Sequence, residues 1–600
     1  MPIKILTSIF ASFVILHSQQ LIIEDYLNEA NAADYLLIAP ELFVNQTLRL
    51  AHHRNSFQGD GVGDAKVVRL ETIDSIFRTH DTVQRYKALW KGLKYANENW
   101  SEPLKYIVFI GNDSLGWDST GRLVNFGLMP SIPNGYQYYR RHGGRDTVIR
   151  YSDDYYLSVN RSSLYPVNVP RNPQDLRIGR IPCQTVSELS TYIDKVIAYD
   201  LGRRFEVSNN ALLIADDARK ANVADPLGFS HFTTAQTIST QTALSWYNIT
   251  RLYLSMYTMD ENFRHVEANQ EFHSVLNNQK WIIFFGHGSP GVLTDEHLIT
   301  SSDLLLVDRN YPPFIFLSFS CLNGVYHIPK DSSMLKQALF TENGGAVAYV
   351  ASTTLEYALP NENFANAMFR VYSSDSGVTL GQMVNGAKRS IMSRVEHYHL
   401  FGDPALRVRS VPLEPQITFT GNGNLRVSLP HIFSTAEYYL TISRFDTLKL
   451  LEDTTQSFTD EQILFTQRKG GNGEVEFALP DNLSGDLRFN LYAGNDIYEA
   501  RKDTVIYFDV LQNNNAVLTR NKTPEILVSG SNLIFRNIEK EGMDLKLYDL
   551  RGRLIEKVSY RNLPQNFIFN LASLNAASGQ YIIVVNDGRC NLLSRVVRIF

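Results

Sequence analysis

A histidine and a cysteine near the middle of the chain have the residue types and the spacing for nucleophilic chemistry. His287 follows an apolar run at 282–285, and Cys321, 34 positions later, follows an apolar run at 314–319. A thiolate is a strong nucleophile, and a neighbouring imidazole takes the thiol proton and later returns it to a leaving amine. The alternative interpretation is that Cys321 is a small buried hydrophobe and His287 a hydrogen-bonded loop histidine.

The two apolar runs predict buried β-strands that would bring these side chains together. Each run is four to six residues long, rich in Ile and Phe, and flanked by Gly or Pro, which favours strands over helices. In open α/β sheets the functional residues lie just past the carboxyl ends of the strands. Two parallel neighbouring strands would therefore place the imidazole and the thiol side by side.

The wider pattern between residues 34 and 410 predicts a layered α/β domain with a mostly parallel sheet. Short apolar runs alternate there with helical patterns, and the runs are YLLIAP, KVVRLE, YIVFIGND, ALLIADD, WIIFFGHG, FIFLSFSC and AVAYVAST. Five residues between the runs recur at helical spacing and would face the sheet: Leu189, Tyr192, Ile193, Val196 and Ile197. After VPLEP at 411–415 the runs become short and alternating, with Asn-Gly and Gly-Gly turns. This change predicts an all-β sandwich at 411–520.

Composition limits the classes of protein to which the chain could belong. Its 600 residues, 44% of them apolar, are enough for several hydrophobic cores and two to four domains. A net charge of −5 with interspersed signs argues against nucleic acid as the main partner. Three cysteines are too few and too scattered for a disulfide framework, and Cys183 is expected to be structural.

The first 18 residues predict a secretory signal peptide. Lys4 precedes an apolar stretch from Ile5 to Leu16, and Ser18 ends the segment. The cleavage site is open, because Leu16 stands where a small residue is preferred. A membrane anchor is the alternative, but the stretch is shorter than the roughly 18–20 residues that a spanning helix needs. We therefore expect no transmembrane domain.

Several blocks of sequence resemble the gingipain-like cysteine peptidases, whose catalytic domain is similar in fold to the caspases. The central blocks are GHGS at 286–289, SCLNG at 320–324, GGAVAYVAST at 344–353 and HLFGDPAL at 399–406. Further blocks upstream are YIVFIGND at 106–113, SDDYY at 152–156 and the segment 175–200. The resemblance covers about residues 34–410. It implies an N-terminal α/β subdomain at 19–180 and a caspase-like catalytic subdomain at 181–410.

The resemblance implies a cysteine endopeptidase that works through a thioester. Cys321 would be the nucleophile and His287 the acid and base. The amides of Cys321 and Gly288 would stabilise the oxyanion, because glycine beside the histidine allows close approach. In the family an acid just past the strand at 211–217 approaches the histidine, which makes Asp217 the candidate third group and Asp216 the alternate. Capping the following turn is the structural role open to either acid.

The resemblance also implies a class of substrate. Gingipains cleave proteins or peptides and prefer a basic residue before the scissile bond. In the arginine-directed members an acid shortly after this strand helps to receive that residue, and the candidate here is Asp225 in ADPLGFSHF. No cofactor is required by this chemistry. Members of the family bind structural calcium, to which we assign no ligands, and no cluster has the spacing of a zinc site.

The end of the chain resembles a sorting domain of type IX secretion, at residues 526–600. The landmarks are Tyr548-Asp549-Leu550, Gly552-Arg553 and Gly579-Gln580-Tyr581. In the family an immunoglobulin-like domain often follows the peptidase, as 411–520 would here. Together with the signal peptide, this implies a secreted or cell-surface protein with the type IX machinery as a partner. The alternatives are another immunoglobulin-like repeat at 526–600, and a catalytically silent or transpeptidase-like surface protein with the same fold.

Overall fold

The computed structural model describes most of the chain from residue 21 onward. It covers residues 21–599 except for 58–61, 79–84, 118–122, 126, 142–143, 158, 160–175, 202–209, 221–222, 226–227, 240–243, 245–246, 343, 375–377, 393–394, 408–411, 414, 421–423, 430–434, 450–456, 481, 495–498, 509–524, 530–531, 537–541, 549–553, 562–566, 571–578 and 587–590. The predicted signal peptide at 1–18 lies outside the described residues. So do Asp549, Leu550, Gly552 and Arg553 of the predicted sorting domain.

A ten-stranded sheet organises the first 410 residues. Its strands, numbered in chain order, are β1 (Tyr35–Ala39), β2 (Ala65–Arg69), β3 (Tyr106–Ile110), β4 (Arg177–Ile181), β5 (Asn210–Ala215), β6 (Asn248–Tyr253), β7 (Trp281–Phe285), β8 (Phe314–Phe319), β9 (Ala346–Ser352) and β10 (Tyr398–Gly402). They lie in the order β6-β5-β7-β8-β9-β10-β4-β3-β1-β2. Every residue of β1, β7, β8 and β9 is buried, as expected for strands covered on both faces.

The sheet consists of two parallel halves. The pairings among β6, β5, β7, β8 and β9 are parallel, and so are those that join β10, β4, β3, β1 and β2. The halves meet where β9 and β10 pair in antiparallel fashion, with Val350 opposite Leu400. The sequence-based prediction of an α/β fold with a mostly parallel sheet is therefore confirmed.

Helices cover both faces of this sheet. They are α1 (Val44–Ser56), α2 (Leu70–Phe77), α3 (Arg85–Asn99), α4 (Val186–Leu201), α5 (Gly228–Ser239), α6 (Val266–Val275), α7 (Met334–Phe340), α8 (Ala358–Ser374) and α9 (Leu380–Ser390). Alternate residues of a strand point to opposite faces. Leu36 and Ile38 of β1 accordingly join the core that contains α2 and α3, whereas Leu37 joins the core that contains α1 and α4.

Four of the five residues predicted to face the sheet at helical spacing are fully buried on α4. They are Leu189, Tyr192, Ile193 and Val196, while Ile197 is partly buried against the same core. The apolar stripe of this helix is thus the one that the sequence predicts. It holds one face of the sheet on which the candidate site is built.

Among the described residues beyond 411, the regular elements are β-strands, and these add all-β sheets to the α/β fold. The strands are Pro412–Leu413, Gln416–Phe419, Leu425–Ser428, Ala436–Lys449, Ser457–Gly471, Glu474–Phe477, Gly485–Gly494, Glu499–Phe508, Glu525–Ser529, Asn532–Arg536, Gly542–Tyr548, Leu554–Arg561, Phe567–Asn570, Gly579–Asn586 and Asn591–Ile599. In the last 75 residues the described pairings are all antiparallel.

The chain divides into two compact units. The first comprises residues 1–417, 426–477 and 488–503, and the second comprises 418–425, 478–487 and 504–600. Within the first unit, Asn248 at the start of β6 donates a side-chain hydrogen bond to Thr441 Oγ1 at 3.0 Å. The predicted boundaries at 180, 410 and 520 stay predictions.

Candidate active site

The register of β7 and β8 places His287 and Cys321 at equivalent positions of one sheet edge. The two strands pair in parallel with Phe285 opposite Phe319, so each candidate residue lies two positions beyond a paired strand end. Adjacent strands are about 4.8 Å apart. The rings of Phe285 and Phe319 stack with centroids 5.0 Å apart and planes 11° apart. The parallel arrangement predicted from the apolar runs is present, and it holds both strand ends rigidly.

Glycines on either side of His287 allow its backbone to approach neighbouring segments. A Cβ atom on Gly286 would lie 2.5 Å from the Cβ atom of Asp216. One on Gly288 would lie 2.6 Å from Ser320 Oγ and 3.0 Å from the carbonyl oxygen of Cys321. The residues whose amides are predicted to stabilise the oxyanion, Gly288 and Cys321, thus belong to two backbone segments in close contact.

The Cys321 side chain is half-buried against the loop that follows β9. Its Sγ atom donates to the carbonyl oxygen of Glu356 and accepts from the Glu356 amide, both at 3.3 Å. The next residue, Leu322, has a left-handed backbone with φ of 58° and donates its amide to Thr354 O at 2.9 Å. A left-handed Leu is a strained conformation that concentrates at functional sites. The chain therefore turns sharply away directly after the thiol.

The imidazole of His287 is paired with the carboxylate of Asp225. Nε2 of His287 lies 2.6 Å from Oδ2 of Asp225, and the side chains are 25% and 2% exposed. The Asp225 backbone is itself fixed, because its amide donates to Ala218 O at 2.7 Å and its carbonyl accepts from Gly228 at 3.2 Å. A buried carboxylate in this position holds the ring in one orientation.

The structure places the two predicted third groups, Asp217 and Asp216, differently. The Asp217 carboxylate lies 3.0 Å from Nε2 of His265 and accepts from the Arg219 amide at 2.8 Å, so its described contacts are with residues other than His287. Asp216 Oδ2 accepts the backbone amide of His287 at 2.8 Å. Burial, with Glu296 nearby, raises the pKa of Asp216 well above its ordinary value. Asp216 thus positions the His287 backbone, and the carboxylate that meets the imidazole is that of Asp225.

His231 is a member of the site that the sequence analysis did not single out. It lies on the first turn of α5, is almost fully buried, and packs edge-on against His287 with centroids 5.5 Å apart and planes 87° apart. The only signal available was its presence six residues after Asp225 in the stretch ADPLGFSHF. The start of α5 at Gly228 brings it back to the site.

Two groups of described side chains have the composition and spacing to hold a metal ion. One consists of Asp225, His231 and His287, and the other of Asp216, Asp217 and Glu296. In each group one ligand atom per residue lies within 4.8 Å of the others. The first offers two imidazoles and a carboxylate, the second only carboxylates. Transition metals favour the first kind of ligand set and calcium the second.

Glu356 places a carboxyl group on the same loop that contacts the thiol. Burial raises its pKa to about 7, with a smaller contribution from Glu396, although a hydrogen bond from Ser352 Oγ at 3.0 Å opposes the shift. The next residue, Tyr357, is 69% exposed. The loop that contacts the thiol therefore carries a buried acid whose pKa is raised to about 7.

Comparison with known proteins assigns the chain to a family. The model of peptidase family C25 matches residues 28–409, well over half of the chain. The chain belongs to peptidase family C25. Every side chain of the candidate site lies within the matched residues. The resemblance to gingipain-like cysteine peptidases seen in the sequence blocks is therefore confirmed.

Individual relatives of this C25 chain are gingipains. It is 29% identical over 269 residues to gingipain R2 of Porphyromonas gingivalis, an alignment that covers 41% of this chain and 34% of the relative. It is 28% identical over 272 residues to gingipain R1 of the same species, covering 41% and 26% of the two chains. The matched part thus spans about a third of one relative's own length and about a quarter of the other's. The crystal structure of the Arg-specific cysteine proteinase gingipain R aligns with a TM-score of 0.46 and 17% identity, over 79% of this chain and 99% of that one.

Two further histidines near the matched blocks of the C25 chain lie close to polar side chains. His327 Nδ1 lies 3.0 Å from the hydroxyl of Tyr151, and His399 Nδ1 lies 3.6 Å from Asp153 Oδ2. Cys183 is fully buried, and burial raises the pKa of its thiol. Within the described part of the chain, no helix combines the length and apolarity that crossing a membrane demands.

Proposed function

We propose that this chain is a cysteine endopeptidase that hydrolyses peptide bonds through a thioester on Cys321. The observation that carries the proposal is the triad-like arrangement at the sheet edge. His287 and Cys321 follow register-paired strand ends, and the His287 ring is held by Asp225 at 2.6 Å. Membership of peptidase family C25 supports the same reaction class.

Each group has a defined role in the proposed reaction. Because Nε2 of His287 faces Asp225, Nδ1 is the ring nitrogen that exchanges a proton with the thiol. Nδ1 takes the proton from Sγ, and the thiolate attacks the carbonyl carbon of the peptide. The backbone amides of Gly288 and Cys321 stabilise the oxyanion. The imidazolium then protonates the leaving amine, and a thioester forms.

Hydrolysis of the thioester completes the cycle. His287 removes a proton from water, the hydroxide attacks the thioester carbonyl, and the Cys321 sulfur leaves and recovers the proton. Asp225 stays ionised throughout and stabilises the imidazolium form of His287. No cofactor takes part in these steps. The expectation of structural calcium stays a prediction, and among the described residues Asp216, Asp217 and Glu296 have the oxygen ligands that would suit it.

The nucleophile is tested with Cys321→Ala and, as a matched control, Cys183→Ala. Loss of Cys321 should reduce cleavage of a protein substrate by at least about a thousandfold and abolish labelling by an electrophilic peptide probe. Cys183→Ala should keep both, because Cys183 is fully buried. Equal proteolysis by the Cys321 variant would contradict the proposal. A folded wild-type chain that the probe does not label would favour a catalytically silent scaffold.

The orienting role of Asp225 is tested against its neighbour Asp217. We expect Asp225→Asn to lower kcat/KM by roughly 10²- to 10⁴-fold, the range for impaired acid–base catalysis. Asp217→Asn disturbs a buried pair with His265 and should lower thermal stability while the folded protein keeps its kcat. The reverse pattern, with kcat lost in the Asp217 variant and kept in the Asp225 variant, would return the role to Asp217.

The proposed substrates are proteins or peptides. The prediction that Asp225 selects a basic residue stays untested, and its contact with His287 supports the orienting role instead. Addition of an amine acceptor during turnover separates hydrolysis from transpeptidation, because only the latter yields an amine adduct. We further propose that the chain is exported, with residues 1–18 as the signal and residues 526–600 as a type IX sorting domain.

A further inference from the structure

Asp225, His231 and His287 form a compact group whose second histidine is not used by the proposed reaction. One ligand atom from each lies within 4.8 Å of the other two. The Asp225 and His231 residues are 5% and 7% exposed, and the His287 side chain is 25% exposed. The group is thus buried on one side and reachable from solvent through His287.

Local packing fixes the backbone that carries two of the three side chains before any ligand binds. A Cβ atom on Gly228 would lie 2.1 Å from Asp217 O and 2.4 Å from Ala218 Cα, so the first turn of α5 sits directly on the loop after β5. That turn carries His231. In the same loop, Ala218 O accepts a hydrogen bond from the Asp225 amide. His231 and Asp225 therefore have little freedom to move apart, which lowers the entropy lost when both bind one ion.

The donor set suits zinc better than calcium or magnesium. Two imidazoles and one carboxylate, with a fourth position open, is a combination that binds Zn²⁺ with bonds of about 2.0–2.2 Å. Calcium and magnesium prefer oxygen ligands. Tetrahedral ligands at that bond length are roughly 3.4 Å apart, whereas His287 Nε2 and Asp225 Oδ2 are now 2.6 Å apart and the three ligand atoms lie within 4.8 Å, so shifts on the order of 1 Å are needed. Rotation of the His287 ring supplies them, because this ring is the most exposed of the three.

We propose that Asp225, His231 and His287 bind a Zn²⁺ ion and that this binding reversibly inhibits the peptidase. The inhibition rests on the proposed function, whereas the binding does not. Zn²⁺ takes the lone pair of His287 Nε2, so the neutral ring must carry its proton on Nδ1. A protonated Nδ1 cannot accept the proton of the Cys321 thiol. The ion also binds the Asp225 carboxylate, which is then no longer available to stabilise the imidazolium form of His287.

Binding is measured on the full-length chain carrying Cys321→Ala, which lacks the nucleophile as a competing ligand. Calorimetric titration with Zn²⁺ in a buffer that does not coordinate metals should show one site. Co²⁺ should give the intense visible absorption of a tetrahedral site. His231→Asn in the same background should weaken Zn²⁺ binding by at least about tenfold. His273→Asn is the matched control, since His273 Nε2 also pairs with a carboxylate, Asp303 Oδ1 at 2.7 Å, and it should bind Zn²⁺ like the parent.

Inhibition is measured on the chain with Cys321 intact. Zn²⁺ should inhibit cleavage, a chelator should restore it, and His231→Asn should raise the Zn²⁺ concentration that halves the variant's own metal-free activity at least about tenfold. Folding of each variant is checked by circular dichroism, and His231→Gln replaces any variant that does not fold. Unchanged Zn²⁺ affinity in folded His231 variants, or no stoichiometric binding by the folded Cys321→Ala chain, overturns the site. A chain that binds Zn²⁺ through these residues yet cleaves nothing refutes only the proposed function.

Discussion

At the scale of single residues, four acids within or near the site have different environments and hence different roles. Asp225 is buried against the His287 ring, Asp216 accepts the His287 amide, and Asp217 pairs with His265. Glu356 lies on the loop whose backbone holds the Cys321 sulfur. Residue type alone does not distinguish these carboxyl groups. Their burial and their hydrogen-bond partners do.

Glu356→Gln should change how stability depends on pH. Burial raises the pKa of Glu356 from its ordinary value of 4.5 to about 7, so the folded state binds a proton that the unfolded state releases between these pH values. The stability linked to this proton is fully present below pH 4.5 and is lost as pH rises to about 7. Gln does not ionise, so the variant escapes the loss, which is on the order of 3 kcal/mol.

The measurement is thermal unfolding of wild type and Glu356→Gln at pH 5 and pH 8. The variant should gain in relative stability on going from the lower to the higher pH. Parallel changes in the two proteins would show that Glu356 does not titrate in this window in the folded state.

At the scale of elements, the site depends on how closely the segments after β7 and β8 approach each other. The strands are held by the parallel register and by the stacked pair of Phe285 and Phe319. Beyond the strand ends, Gly288 lies against Ser320 and Cys321. A Cβ atom added to Gly288 would push directly against the backbone of Cys321.

Gly288→Ala should therefore impair catalysis more than folding. Its Cβ atom would lie 3.0 Å from Cys321 O and 2.6 Å from Ser320 Oγ, and the hydroxyl moves more readily than the backbone. A displacement on the order of 1 Å at a catalytic group lowers the rate by about 10²-fold. We expect kcat/KM to fall roughly 10- to 100-fold with the circular dichroism spectrum unchanged.

Gly470→Ala is the matched control for this substitution. Its Cβ atom would make only an ordinary contact, 3.5 Å from Glu437 Oε1. Steady-state kinetics of both variants test whether the close approach at Gly288 matters for catalysis. If the two retain the same kcat/KM, close approach at Gly288 does not matter for the reaction.

At the scale of the whole molecule, the catalytic elements and the predicted export segments lie far apart in sequence. The family match ends at residue 409, and the predicted sorting domain begins at 526. Residues 504–600 belong to the second compact unit, whereas every side chain of the candidate site belongs to the first. Export and catalysis should therefore be separable by truncation.

Deletion of residues 526–600 should block export while leaving peptidase activity largely intact. The physical reason is that a folded terminal β-domain would serve as a recognition handle, whereas the residues of the candidate site all lie between 216 and 356. Cell fractionation measures the first effect, and kcat/KM of the purified protein the second. Full-length Cys321→Ala is the control and should be exported normally. A truncated chain that reaches the medium as efficiently as the full chain would identify 526–600 as another structural β-domain.

Local patterns in the sequence predicted most central strands, the fold class and the two residues of the proposed reacting pair. The runs before His287 and Cys321 are continuous and apolar because β7 and β8 are buried on both faces, and such runs are visible without coordinates. The tertiary structure alone decided which acid meets His287. Asp216, Asp217 and Asp225 lie within ten positions of one another, and the fold of the loop after β5 separates their roles. The tertiary structure also decided the positions of His231 and Glu356. They lie near His287 and Cys321 because of where α5 starts and how the loop after β9 folds. These are contacts between separate segments of the chain, and sequence periodicity does not encode them.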